Sequence, residues 1–265
     1  MLKFCSLYSG SSGNSFLVQS NNVTILVDAG VSGKKISDAL ASLNVDINNI
    51  CAILVTHEHT DHTQSIAILS KKYNIPIYAN KGTWSALGDK KSKIPKENIF
   101  YFRNNCPFKL GDLNILPFDI PHDAVDPCGF SISDGFSRIC IATDIGHITT
   151  SVFDILKNSD FVLLESNYEP DVLKYSRYPY KLKERIASPM GHLSNIEAGR
   201  TVNLLSNFGV KNIMLGHLSS ENNFPELAYR SVIEQLQNKD INIYIAERSK
   251  PSRLFCIEDN KEYIC

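Results

Sequence analysis

Residues 57–62 read His57-Glu58-His59-Thr60-Asp61-His62, three imidazoles and two carboxylates within six residues. Neutral imidazole together with carboxylate suits zinc, manganese or iron. So dense a cluster cannot place every group on one ion without strain. It suits two ions side by side, with His57 and His59 facing one and Asp61 and His62 the other. The chemistry this offers is metal-assisted hydrolysis.

The elements that must position the cluster are legible around it. Ile53-Leu54-Val55 is short, apolar and rich in β-branched residues, as expected of a buried strand. Ile66, Ile68, Leu69 and Tyr73 follow at helical spacing and stop before Asn74 and Pro76. The cluster therefore lies on a strand-to-helix loop at the carboxyl end of a strand, where sites on open α/β architectures collect. Other polar residues occupy the same kind of place. Asp28 ends Ile25-Leu26-Val27, His122 follows Leu113–Ile120 and Asp144 follows Ile139–Thr143. A carboxylate at the end of a buried strand needs partners, so Asp28 is expected to orient a metal ligand from behind.

Strands are also expected at 2–9, 15–20, 50–55, 75–79, 98–102, 128–133, 160–165, 210–215, 241–246 and 253–257. Helices are expected at 33–43, 82–88, 149–157, 195–207 and 225–237. The small-residue loop Ser9–Asn14 carries Ser12 and Asn14, and could approach a phosphate with its exposed amides. A plain glycine hairpin is the alternative. Lys90–Lys96 holds four lysines in seven residues and reads as a solvated loop. Residues 174–185 interleave Lys174, Arg177, Lys181, Lys183 and Arg185 with Tyr175, Tyr178 and Tyr180, as a strand-binding strip would. A solvated loop is again the competing reading.

Composition narrows the classes. The chain has 265 residues, 27 basic and 28 acidic side chains, and 43% hydrophobic residues. Balanced charge neither requires nor excludes a nucleic-acid partner. No apolar run approaches the ~20 residues that span a bilayer, and the N-terminus lacks a secretory pattern. The seven cysteines have no C-x-x-C spacing. A reduced, cytoplasmic protein without membrane association is expected.

The motif His57-x-His59-x-Asp61-His62, preceded by Asp28 and followed by His122, Asp144 and His217, resembles the metallo-β-lactamase superfamily of metal-dependent hydrolases. The resemblance spans the chain and implies a single domain over residues 1–265. Its fold would be a four-layer αβ/βα sandwich: two mixed sheets covered by helices on both outer faces. It further implies two divalent ions per chain, zinc or manganese. His57, His59 and His122 would hold the first, Asp61, His62 and His217 the second, with Asp144 bridging. His59 in place of glutamate argues against the flavo-diiron branch.

Glu165-Ser166-Asn167 and Gly191-His192-Leu193-Ser194 are similar to segments of the ribonuclease Z type. There such a glutamate and histidine form a proton-donating pair. Gly10–Ser15, His122-Asp123-Ala124 and His217-Leu218-Ser219-x-Glu221-Asn222-Asn223 look most like the YycJ/WalJ group. The stretch from Asp144 to His217 is too short for the inserted domain of the β-CASP nucleases. The resemblance implies phosphodiester hydrolysis of nucleic acid, expected to be 5′-to-3′ digestion of DNA, with Asp61, His192 and Glu165 catalytic. Ser12, Asn14, Lys181, Arg185 and Asn222 are expected at the substrate. A hydrolase of small thioesters, lactones or cyclic phosphodiesters is the alternative.

Overall fold

The computed structural model describes residues 1–238, 240–258 and 261–264, with side chains described through residue 257. In chain order, the first half contains β1 (Leu2–Tyr8), β2 (Ser15–Gln19), β3 (Thr24–Val27), α1 (Gly33–Ser42), β4 (Ile50–Leu54), α2 (Thr60–Thr63), α3 (Ile66–Tyr73), β5 (Ile77–Asn80), α4 (Lys81–Ala86), α5 (Asp89–Ser92) and β6 (Ile99–Phe102). The second contains β7 (Phe108–Leu110), β8 (Leu113–Asp119), β9 (Cys128–Ser133), β10 (Arg138–Ala142), α6 (Thr150–Leu156), β11 (Phe161–Glu165), α7 (Pro170–Tyr175), α8 (Tyr180–Ile186), α9 (Asn195–Ser206), β12 (Asn212–Gly216), α10 (Pro225–Ile233) and β13 (Asn242–Ile245). The closing strands β14 (Phe255–Glu258) and β15 (Lys261–Ile264) return to the first sheet.

The described strands form two mixed sheets. One runs β15-β14-β1-β2-β3-β4-β5-β6 and the other β13-β12-β11-β10-β9-β8-β7. In the first, the strands from β3 to β6 are parallel and the rest antiparallel. In the second, β10 to β13 are parallel and β7 to β10 antiparallel. Both parallel halves need helical crossovers, and those helices cover the outer faces.

The strand sequences show why the layers pack this way. Alternate residues point to opposite faces. On β2, Phe16 and Val18 enter the core between the sheets, while Leu17 packs under the helices. On β11, Phe161 and Leu163 face the inter-sheet core and Val162 and Leu164 the helices of the second half. Strands buried on both faces read as unbroken apolar runs rather than alternating ones.

Several expectations change in detail. The helix expected after the metal loop is α3, and a short further helix, α2, lies within the loop itself and carries Asp61 and His62. Part of the lysine-rich loop is the short helix α5. The basic, aromatic strip folds as α7 and α8 around Pro179. β7 and β15 were not foreseen. Cys5, Cys51, Cys106, Cys128 and Cys140 are free, but Cys256 is disulfide-bonded, which corrects the expectation that all are reduced. Cys265 lies outside the described residues.

Candidate metal and proton-transfer site

The carboxyl ends of β3, β4, β8, β10, β11 and β12 deliver the site. Asp28 directly follows β3 and His217 directly follows β12, while Asp144 stands two residues past β10. All three adopt left-handed backbone, with φ of 62°, 54° and 57°. Non-glycine residues enter that region only when the surroundings hold them there, and such strain gathers at functional sites.

Two groups of side chains converge. His57, His59 and His122 form one, and Asp61, His62, Asp144 and His217 the other, the ligating atoms of each lying within 4.8 Å of one another. His57 Nε2 is 3.1 Å from His59 Nδ1, and His122 Nε2 is 3.3 Å from that same nitrogen. In the second group Asp144 Oδ2 lies 3.1 Å from His62 Nε2, and Asp61 Oδ2 lies 3.6 Å from His217 Nε2. Asp144 also reaches towards the first group, its Oδ1 3.8 Å from His122 Nε2. Asp144 Oδ2 and His217 Nε2 are buried yet make no hydrogen bond. Buried polar atoms are ordinarily hydrogen-bonded, so these two atoms suit ligation of a cation. The donor set, histidines and carboxylates in two adjoining clusters, fits a dinuclear metal site.

Behind the ligands stands a second set of contacts that fixes each ring. His62 Nδ1 lies 2.7 Å from Asp28 Oδ2, and Asp28 also accepts from the Thr56 amide at 2.9 Å and the Thr56 hydroxyl at 2.8 Å. With its proton given to Asp28, Thr56 Oγ1 accepts from His57 Nδ1 at 2.9 Å. His122 Nδ1 donates to the Gly191 carbonyl at 3.1 Å. Each arrangement leaves the opposite ring nitrogen as the ligand.

Glu165 is the hub of the other side. Its Oε1 meets His192 Nδ1 at 2.9 Å and His217 Nδ1 at 2.6 Å, while Oε2 accepts from the Ile145 and Leu193 amides at 2.8 and 3.1 Å. His192 is 18% exposed, and its Nδ1 lies 3.8 Å from Asp144 Oδ1.

Residues 23–218 match the family described as "Beta-lactamase superfamily domain". The chain belongs to the beta-lactamase superfamily. Within this superfamily, it is 37% identical over 243 residues to exodeoxyribonuclease WalJ of Streptococcus pneumoniae serotype 2 (strain D39), covering 91% of this chain and 90% of that one. It is 34% identical over 242 residues to exodeoxyribonuclease YycJ of Bacillus anthracis, covering 91% and 92%. Its backbone is similar to that of the metallo-beta-lactamase fold protein YhfI from Bacillus subtilis, with a TM-score of 0.74 across 95% of this chain and 98% of that one. At 19% identity that likeness concerns the fold. The resemblance to the YycJ/WalJ group and the sandwich fold are therefore borne out.

Electrostatics separate the ligands of this superfamily member. Burial drives the His57 and His122 pKa down, leaving neutral imidazoles. For Asp61 burial works in the opposite direction, but the His217 and His62 rings facing its carboxylate outweigh it and the carboxyl stays far below its usual range. Burial also opposes the charge on Asp144, where His217 and His62 prevail. Burial opposes protonation of His62 and His217, yet the carboxylates around them win. Asp144 and Asp28 hold His62 well above its ordinary value, and Asp144, Asp61 and Glu165 push His217 to about 10. Four carboxylates thus recruit protons where cations would serve.

The residues expected at the substrate divide. Ser12 is exposed on the Ser9–Asn14 loop, and Lys181 and Arg185 are exposed on α8. Arg185 Nε donates to Asp123, whose other oxygen lies 3.4 Å from His122 Nε2, so Arg185 borders the metal ligands. Asn14 and Asn222 are fully buried rather than set on the surface of their loops. Asn14 instead bonds Gly10 at both its amide and carbonyl and lies 3.1 Å from His62 Nε2. Asn222 packs against Ser219 in the loop after His217. Two contributors were missed in the sequence: Thr56, which links Asp28 to His57, and Lys90, whose Nζ reaches Thr63 Oγ1 at 2.9 Å beside Asp61.

Proposed function

We propose that this hydrolase cleaves phosphodiester bonds of nucleic acid, as a 5′-to-3′ exonuclease acting on DNA, through a single domain spanning residues 1–265. The observation that carries the reading is the Glu165–His192 pair, 2.9 Å apart, set against Asp144 at the edge of the metal cluster. A thioesterase or lactonase has no need of a buried carboxylate that keeps an accessible imidazole protonated. A phosphodiesterase must give a proton to a departing alkoxide oxygen.

His57, His59 and His122 would hold one divalent ion, and Asp61, His62 and His217 a second, with Asp144 shared. Zinc and manganese both suit these donors. When bound, such ions acidify a water and neutralise charge on phosphoryl oxygens. Asp61, whose carboxylate faces His62 and His217, would be the group that orients such a water. Burial disfavours the imidazolium of His192, but the Glu165 charge, then Asp144, raises its pKa. His192 therefore holds its proton to higher pH than a free imidazole and is the group placed to give it to the leaving oxygen. Arg185, Lys181 and Ser12 line the path of the sugar–phosphate backbone. Tyr175 and Tyr180, 78% and 74% exposed, offer faces on which bases stack. Among the described residues no helix is long and apolar enough to cross a membrane. A cytoplasmic place of action fits a DNA substrate.

The test is digestion of end-labelled single- and double-stranded DNA and RNA with zinc or manganese added. Wild type is run beside Asp61→Ala and His192→Ala. Stepwise loss from the 5′ end of DNA is expected, abolished by Asp61→Ala and reduced at least a hundredfold by His192→Ala. Intact polymers alongside hydrolysis of a small diester or thioester would move the function to small substrates.

A further inference from the structure

Lys90 stands on α5, outside every motif that identified the site. Its Nζ donates to Thr63 Oγ1 at 2.9 Å and to Thr60 Oγ1 at 3.3 Å. These threonines bracket Asp61 on α2. Both partners are neutral hydroxyls, and among the described residues no carboxylate forms an ion pair with Lys90. The amine is half-buried, where burial lowers its pKa and the nearby Asp61 charge counteracts that. Arg185 also feels Asp61, from the His122 side. One cation from each half of the chain thus borders the metal cluster, and the two differ. Arg185 is neutralised by Asp123. Lys90 has no such carboxylate partner among the described residues.

We propose that Lys90, with the Thr60 and Thr63 hydroxyls, forms a subsite for a backbone phosphate next to the scissile one. The inference rests on the phosphodiesterase reading and names what the site requires of its substrate. A half-buried ammonium held by hydroxyls alone remains an unmatched charge beside the metal cluster. The scissile phosphate takes its compensation from the metal cluster. A neighbouring phosphate must find its own, and a small diester has none. Lys90 would therefore select polymer over small substrates.

A merely structural role, tying α5 to α2, is separated by a readout that depends on charge. A single-stranded oligodeoxynucleotide labelled at its 3′ end is titrated by fluorescence anisotropy in EDTA, from 50 to 200 mM salt. Each phosphate contact to a single strand contributes about 0.7 to the slope of log affinity against log salt. Lys90→Met should lower that slope by about 0.7 and weaken binding several-fold, and Lys90→Arg should restore both. Lys109→Met, an exposed lysine on β7, should leave the slope at the wild-type value. Lys90→Gln keeps a donor for the threonines without the charge, and serves if Lys90→Met fails to fold. Slopes for Lys90→Met and Lys90→Gln no lower than for Lys109→Met, with wild type binding and degrading DNA, overturn the subsite and leave the phosphodiesterase standing. Wild type that neither binds nor degrades nucleic acid overturns both.

Discussion

Glu165 Oε1 lies 2.6 Å from Nδ1 of His217, closer than it lies to His192. One carboxylate thus serves a metal ligand and a proton donor together. Glu165→Gln should damage both functions at once. Proton donation of this kind is worth about 10²–10⁴-fold, and loss of a contact behind a ligand costs about 10–100-fold in metal affinity. Parallel metal titration by calorimetry and single-turnover kinetics at saturating metal measure the two separately. A kinetic defect that disappears at saturating metal would restrict Glu165 to holding His217.

The pH profile should follow His192. Its pKa is raised above the ordinary 6.5, and the acid form is the active one. kcat should therefore be sustained through pH 6.5 and fall as pH rises through the elevated value. Glu165→Gln removes the charge that raises it, so the alkaline fall should move to lower pH. His192→Ala should have no such limb. An alkaline limb unchanged by Glu165→Gln would remove the pair from proton transfer.

His62 and His217 carry raised pKa values in the metal-free cluster, His217 at about 10. Below that value its imidazole is protonated, and a cation must displace the proton before taking the nitrogen. Metal binding should thus release protons at neutral pH, and affinity should climb as pH rises towards 10. Calorimetry in buffers of different ionisation enthalpy reads this directly. Heats identical in all buffers would contradict it.

Much of this site was legible because chemistry was concentrated in the chain. His57–His62 announces metal binding, and Asp28, His122 and Asp144 stand out as polar residues ending apolar strands. What stayed hidden depends on register and backbone angle. Glu165 meets His217 because β11 and β12 run parallel with Glu165 opposite Gly216, a pairing across 52 residues. The left-handed turns at Asp28, Asp144 and His217 have no marker such as glycine. Lys90 looked like one of several solvated lysines, because only the fold places α5 against α2. Asn14 and Asn222 sit in polar, turn-rich stretches that suggest exposure, yet their side chains are buried inside the loops that carry the site.

Asp28→Asn should test the support behind His62. The asparagine amide cannot accept from His62, the Thr56 amide and the Thr56 hydroxyl together as the carboxylate does. The His62 tautomer is then no longer fixed, and metal affinity should fall about 10–100-fold. A buried donor left unpaired also costs about 1–3 kcal/mol, so the metal-free variant should melt several degrees lower. Wild-type affinity in Asp28→Asn would show that chain geometry alone aims His62.

Gly30 offers a purely steric test of the same loop. A Cβ there would stand 1.6 Å from the Asp61 carbonyl oxygen and 2.7 Å from the Asn14 amide. Those backbones are stitched together, with Asn14 N donating to Asp61 O and Gly30 N to Asn14 O, each at 2.8 Å, and Ala29 N to His62 O at the same distance. The contact involves main chain on both sides, so no rotamer change relieves it. Gly30→Ala must push Asp61 and His62 away from Asn14. Overpacking of a well-filled interior costs about 1–3 kcal/mol, and this clash should reach the upper end of that range in urea denaturation. Because the displaced segment carries two residues of the second cluster, metal titration should show weakened binding at one site and near-normal binding at the His57, His59 and His122 site. Equal weakening at both sites would mean that the loop moves as one body with His57 and His59.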